Sequence, residues 1–239
     1  MRSGVEAAVE ALYEVFARYP LIESVAYCDH CVGPEQVVDL HRTPLRHLTD
    51  EQLGPLLSKS MTTWGDQRYL NHFLPRLLEL VASGEMNQWS YPSFLPHRIG
   101  GPWRSGADDE RRAIGDFAAA WWKQTTSTYP GPCEPSEVLD TIADCGQSVA
   151  PYLFGWPAVA GEPAARQLAA LVQDLLGSAR RASDFWREVD QWLAGPMPTD
   201  ILAAAVVATG SPDVAQELSD VYEHLACWRE WRAVTPDER

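Results

Sequence analysis

Apolar residues recur at intervals of three and four along most of the chain, the period of helices packed on one side. The first run, Val5, Ala8, Val9, Leu12, Phe16 and Tyr19, is opened by Ser3 with Glu6 three positions on, a capping box, and is stopped by Pro20. Leu21 to Tyr27 breaks the period and fits a short extended piece. Gly33-Pro34 opens a helix to about His41, with Pro34 at the first position, where a missing N–H costs nothing. Thr49 and Gln52 form a second capping box, and Met61 to Asp66 is turn-like. Leu70, Phe73, Leu74, Leu77, Leu78 and Val81 then make the most regular stripe, with Gly84 placed to end it. Pro75 falls on the opposite, polar side of that stripe and predicts a kink, or two short helices meeting there.

Periodicity lapses from Glu85 to Gly106, where Trp89, Tyr91, Phe94 and Trp103 are interleaved with Pro92, Pro96, Pro102 and Gly100-Gly101. The stretch predicts a loop of about 20 residues, a length often tied to function. Its aromatics either pack across the helices or cover a pocket as a lid. Helical patterns resume over Asp108 to Thr125 and over Ser136 to Cys145, the latter stopped by Gly146. They continue over Pro163 to Leu176, in a run capped by Ser183 and closed by Gly195-Pro196, over Thr199 to Thr209, and from Pro212 to Trp228 with Ser211 as N-cap. Short Gly/Pro turns between the last helices favour antiparallel neighbours. The expectation is an all-α protein, one continuous domain over residues 1–239, built as a multi-helix bundle or a HEAT-like stack of helical hairpins. Within it, residues 1–84 form a segment tied by a metal, 85–106 the aromatic loop and 107–239 the helical stack.

With 239 residues, 46% of them hydrophobic, the chain can bury a sizeable core. Its net charge of −14 is spread evenly: residues 1–120 carry 16 acids against 11 bases, and residues 121–239 carry 17 against 8. A field of that sign repels phosphate backbones and anionic lipid, so neither nucleic acid nor a membrane surface is an expected partner. No apolar run approaches the roughly 20 residues of a spanning helix, and the start leads straight into an acidic amphipathic pattern, so a cytoplasmic location is expected. In a reducing compartment a CxxC pair binds metal or does redox chemistry more often than it staples a fold.

That bears on the one stretch whose residue types packing does not demand. Cys28-Asp29-His30-Cys31, His41 and His47 gather two of the five cysteines and three of the six histidines. Thiolates and imidazoles are the preferred zinc ligands, and the spacing C-x2-C-x9-H-x5-H resembles a finger with a shortened middle. His30 is an alternative to His47 as a ligand. A second reading is redox: C-x-H-C leading through Gly33-Pro34 into a helix resembles the thioredoxin-like motif, though those motifs end a strand and no sheet is predicted. In a third, the cysteines simply pack as small apolar residues. Cys133, Cys145 and Cys227 are isolated, and Asp108-Asp109-Glu110 is expected to be a solvated helix cap.

Tyr13 to Pro20, the cysteine cluster, His41-Arg42-Thr43-Pro44-Leu45-Arg46, Thr62-Thr63-Trp64-Gly65-Asp66 and His72-Phe73-Leu74-Pro75-Arg76-Leu77-Leu78-Glu79-Leu80 together resemble an uncharacterised family of bacterial proteins. The resemblance covers roughly the first 125 residues. The family pattern has C-P-C-C at the cysteine cluster and an acidic residue at the position of His47. It therefore implies Cys28, His30, Cys31 and His41 as metal ligands, with His72 able to complete the site, and implies no activity. The expected function is a zinc-binding helical protein acting through protein contacts, as a scaffold or in immunity or regulation. The alternative is a metal-dependent enzyme acting on a small molecule under the 85–106 lid.

Overall fold

The computed structural model of the chain describes residues 4–86, 91–156, 161–178 and 184–234; the expected caps Ser3 and Ser183, and Trp89, lie outside the described residues. The fold is all-α, as the apolar period predicts. In chain order the helices are α1 (Gly4–Phe16), α2 (Pro34–Arg42), α3 (Asp50–Lys59), α4 (Gln67–Ser83), α5 (Tyr91–Ser105) and α6 (Asp108–Ser127), followed by α7 (Pro135–Asp144), α8 (Ala150–Phe154), α9 (Glu162–Gly177), α10 (Asp184–Ala194), α11 (Met197–Ala208) and α12 (Pro212–Val234). A single 3-10 turn, Leu45–His47, separates α2 from α3. The extended piece after α1 forms only an isolated antiparallel bridge between Tyr27 and Trp64, and Trp64 also bridges Ser60. Among the described residues no helix is long and apolar enough to cross a membrane.

The chain gathers into two compact units: Met1–Trp121 with Asp140–Gly146, and Trp122–Leu139 with Gln147–Arg239. The first is organised on α4. All six residues of its predicted stripe are buried, and Gly84 closes the helix in the left-handed region at φ 74°. Pro75 is buried too, not on a polar face, and the helix runs unbroken through it. A proline inside a helix costs about 3 kcal/mol, and each buried leucine or phenylalanine around it recovers roughly 1.5–3 kcal/mol, so the stripe outweighs the defect.

Helix α1 lays Val5, Ala8, Val9, Leu12 and Phe16 into the same core. Arg46 fastens it by pairing both guanidinium ends with Glu10 at 2.8 and 2.7 Å while lying 3.7 Å over the Tyr13 ring. Tyr13 in turn donates to Glu79 at 2.7 Å.

Over Tyr91–Ser105 the predicted loop is a helix. Leu95, Ile99 and Trp103, spaced by four, are buried along α5, a signal masked by the prolines around them. Pro102 has no N–H to give the carbonyl of Arg98, and that carbonyl takes the Gln67 amide instead, at 3.3 Å. Arg98 is itself buried and donates to the carbonyls of Leu57 and Ser58 at 2.9 and 3.0 Å, satisfying the open C-terminal end of α3. The Asp108-Asp109-Glu110 run also departs from expectation. Glu110 is buried, accepts the Tyr19 hydroxyl at 2.6 Å and the Ala107 N–H at 3.1 Å, and so caps α6 from inside.

The second unit is held by aromatics. Trp122 meets Trp156 edge to face at 5.2 Å, and Trp156 lies 6.3 Å from Trp192, both of the latter fully buried. Glu188 of α10 accepts the N–H groups of Val149 and Ala150 at 2.6 and 2.8 Å, capping α8. Arg166 joins α9 to α12 through both oxygens of Glu217.

Arg98→Met removes both carbonyl partners at the end of α3, and should lower unfolding free energy by roughly 2–3 kcal/mol in chemical denaturation. A loss below about 0.5 kcal/mol would show that those carbonyls do not need the guanidinium.

Candidate functional site

Two main-chain hydrogen bonds, Cys28 N–H to Thr63 C=O and Gly65 N–H to Ala26 C=O, both 2.9 Å, pin the extended segment before the cysteines to the turn before α4. The chain then reverses at once. The N–H groups of Cys31 and Val32 both donate to the Cys28 carbonyl at 2.9 Å, which closes Cys28-Asp29-His30-Cys31 into a tight turn ahead of α2. A turn of this kind holds its end Cα atoms within about 7 Å, near the range a disulfide spans. Both thiols are free, with Cys28 half-buried and Cys31 exposed.

The two thiols stand at the ends of this turn and are not equivalent. The His30 and Cys31 N–H groups and the Cys31 thiol hold Cys28 below the ordinary thiol value, against partial burial and Asp29. Cys31 is pushed up by its bond to Cys28, by burial and by the charge on Cys28, with Lys59 and the Thr63 hydroxyl pulling the other way. Lys59 Nζ also donates to the Cys31 carbonyl at 2.6 Å.

Cys28 lines a groove of about 550 Å³. Ile22, Val25, Ala26 and Tyr27 form one wall, and Trp64 and Tyr69 contribute from the other. Among its twelve lining residues Asp66 is the one Asp, Glu, Lys, Arg or His, and its carboxylate is committed to the Tyr69 N–H at 2.9 Å as the N-cap of α4.

Of the expected metal ligands, the turn unites Cys28 and Cys31, with His30 exposed between them. His41 is directed elsewhere: its Nε2 is 3.0 Å from the Tyr69 hydroxyl, in the interior of the unit. Burial, with His72 nearby, lowers its pKa. His72 Nδ1 is 2.9 Å from the Tyr19 carbonyl, and His47 is exposed on its 3-10 turn. The thiols suit a zinc ion, but among the described residues no three His, Cys, Asp or Glu side chains are gathered to hold a metal. The expected lid is helix α5, with Trp103 buried along it. Cys145 is buried and pushed up to about 12 by desolvation, which leaves it inert.

The sequence pointed to the cysteines and to the Thr62-Thr63-Trp64-Gly65-Asp66 motif separately, but not to Lys59 and Tyr69, which stand 28 or more positions downstream of Cys31. Lys59 carried a signal, as one of only two lysines in the chain. Comparison with protein-family models, with curated proteins and with solved structures gives no match.

Because burial favours the neutral His41 ring, the folded chain binds fewer protons than the unfolded one as pH falls through about 6.5. Stability should therefore decline with acidification from there, and His41→Gln should flatten that decline in urea titrations at pH 7 and pH 5. A separate check is alkylation of the reduced protein, where Cys28 should be modified ahead of Cys31 and at a pH below that of a free thiol near 8.5.

Proposed function

We propose that the chain is a dithiol protein whose Cys28 and Cys31 exchange with disulfides of other molecules. The observation that carries this reading is the tight turn, closed by the Cys31 and Val32 N–H groups on the Cys28 carbonyl, that sets two free thiols at its ends. That arrangement supports dithiol–disulfide chemistry. The Cys28 thiolate attacks one sulfur of a disulfide, a mixed disulfide forms, and the other sulfur leaves as a thiolate that takes a proton from solvent. Cys31 then loses its proton and attacks Cys28 Sγ, and the second thiol leaves. The pair is oxidised to a disulfide and the substrate is reduced to two thiols. Low-molecular-weight thiols return the pair to the reduced form by the same steps in reverse.

A second reading is favoured by the same turn, because two thiols at its ends also suit a shared metal ion. Here Cys28 and Cys31 hold zinc with His30, and with His41 if it leaves Tyr69. The protein then acts through protein contacts, or, with an open position on the ion, as an enzyme on a small molecule.

Equilibration of Cys227→Ser protein in glutathione redox buffers separates the two readings. The dithiol reading expects one two-electron transition, lost in Cys28→Ser and in Cys31→Ser. If instead the reduced protein holds about one equivalent of zinc against a chromophoric chelator, and the ion blocks oxidation, the metal reading takes its place.

A further inference from the structure

Resting on the dithiol reading, we infer that the groove beside Cys28 receives an extended, uncharged segment of another polypeptide and presents a disulfide in that segment to Cys28. Three observations carry this. The first is continuity, since Cys28 is itself a lining residue, so a ligand lying in the groove has its atoms beside the attacking sulfur. The second is the form of the wall. Tyr27 is paired with Trp64 through its neighbours, Ala26 by its carbonyl and Cys28 by its N–H. In that pattern the N–H and C=O of Tyr27 itself point to the opposite edge of the segment. Ser24, Ala26 and Tyr27 are exposed, and Tyr27 offers a main-chain N–H and C=O of the kind to which another extended chain pairs.

The third is charge. The groove lining includes no Lys, Arg or His, and its one acid is already used as a helix cap. A small anionic thiol such as a glutathione-type tripeptide would bring carboxylates to a groove whose lining holds no cation, the Lys59 ammonium being bonded to the Cys31 carbonyl, in a protein of net charge −14. A neutral backbone with apolar side chains meets Ile22, Val25 and Trp64 without that cost. At about 550 Å³ the groove has the size of a site for a short segment.

The exchange follows the balanced steps already given: Cys28 forms a mixed disulfide with one sulfur of the bound segment, the other sulfur leaves as a thiolate, and Cys31 releases the segment as a free thiol.

Three thionitrobenzoate mixed disulfides with the same leaving group test the inference by stopped-flow release of the coloured thiolate from the reduced Cys227→Ser protein. One is made on the cysteine of a neutral, extended synthetic peptide, one on 2-mercaptoethanol and one on glutathione. The expected result is a peptide rate at least about tenfold above the mercaptoethanol rate, with glutathione no faster than mercaptoethanol. In Ala26→Trp, an exposed wall position, the peptide-to-mercaptoethanol ratio should fall toward one, with thermal unfolding confirming the fold. Equal rates for peptide and mercaptoethanol overturn the groove inference and leave the dithiol reading standing. A ratio that survives Ala26→Trp overturns it as well, and a fastest glutathione probe replaces the occupant by a small anionic thiol. If no probe reacts faster with the protein than with a free model thiol, the dithiol reading itself fails.

Discussion

Helix α4 leaves itself almost no wet face, and the first unit depends on that constraint. Eleven of its seventeen residues are buried, so its rotation about its own axis is fixed on every side. What hangs from it is fixed too. Asp66 caps it, Tyr69 stands in its first turn with its hydroxyl toward His41, and His72 one turn later meets the carbonyl of Tyr19. The turn that leads into it offers Thr63 and Gly65 to the cysteine segment. The dithiol turn is thus an irregular piece of chain held by main-chain hydrogen bonds to the approach of the most buried helix, and a site on loops gains its precision from such a support.

The helices were legible because burial repeats with their period. The stripe from Leu70 to Val81 and the stop at Gly84 stand in the structure where the sequence places them. The failures come where one residue type carries two messages. Prolines in α5 say loop, while Leu95, Ile99 and Trp103 say helix, and the buried surface of the latter decides. Pro75 was assigned to a polar face by counting positions, yet α4 is covered there as well. Glu110 belongs to an acidic run that suits a helix start in water, and only the tertiary placement of Tyr19 and Arg18 turns its carboxylate inward.

The cysteine cluster was visible because its composition is unusual, but its geometry was not, because ligand choice from spacing assumes that nearby histidines turn toward nearby thiols. His41 lies ten residues after Cys31 and bonds instead to Tyr69, a residue 28 positions further along. Its helix sets the direction, since α2 buries Val37 and Leu40 and carries His41 along the same inner side. The groove could not have been read at all. Its walls come from two stretches far apart in the sequence, and only the pairing of Ala26 and Cys28 with Thr63 and Gly65 brings them together.

The first unit is not a contiguous stretch of sequence: it takes Asp140–Gly146 after the chain has left it at Trp121. The returning piece is bound in, with the Cys145 carbonyl receiving Arg104 at 2.6 Å and the Cys145 thiol facing the Pro96 carbonyl at 3.8 Å. During synthesis this core waits for residues made well after its own helices, so its completion is tied to the emergence of residues 122–139. In genetic terms the unit is not a cassette. A single crossover that keeps the dithiol site with its whole core has to fall beyond Gly146, and it then carries Trp122–Leu139 of the second unit along with it.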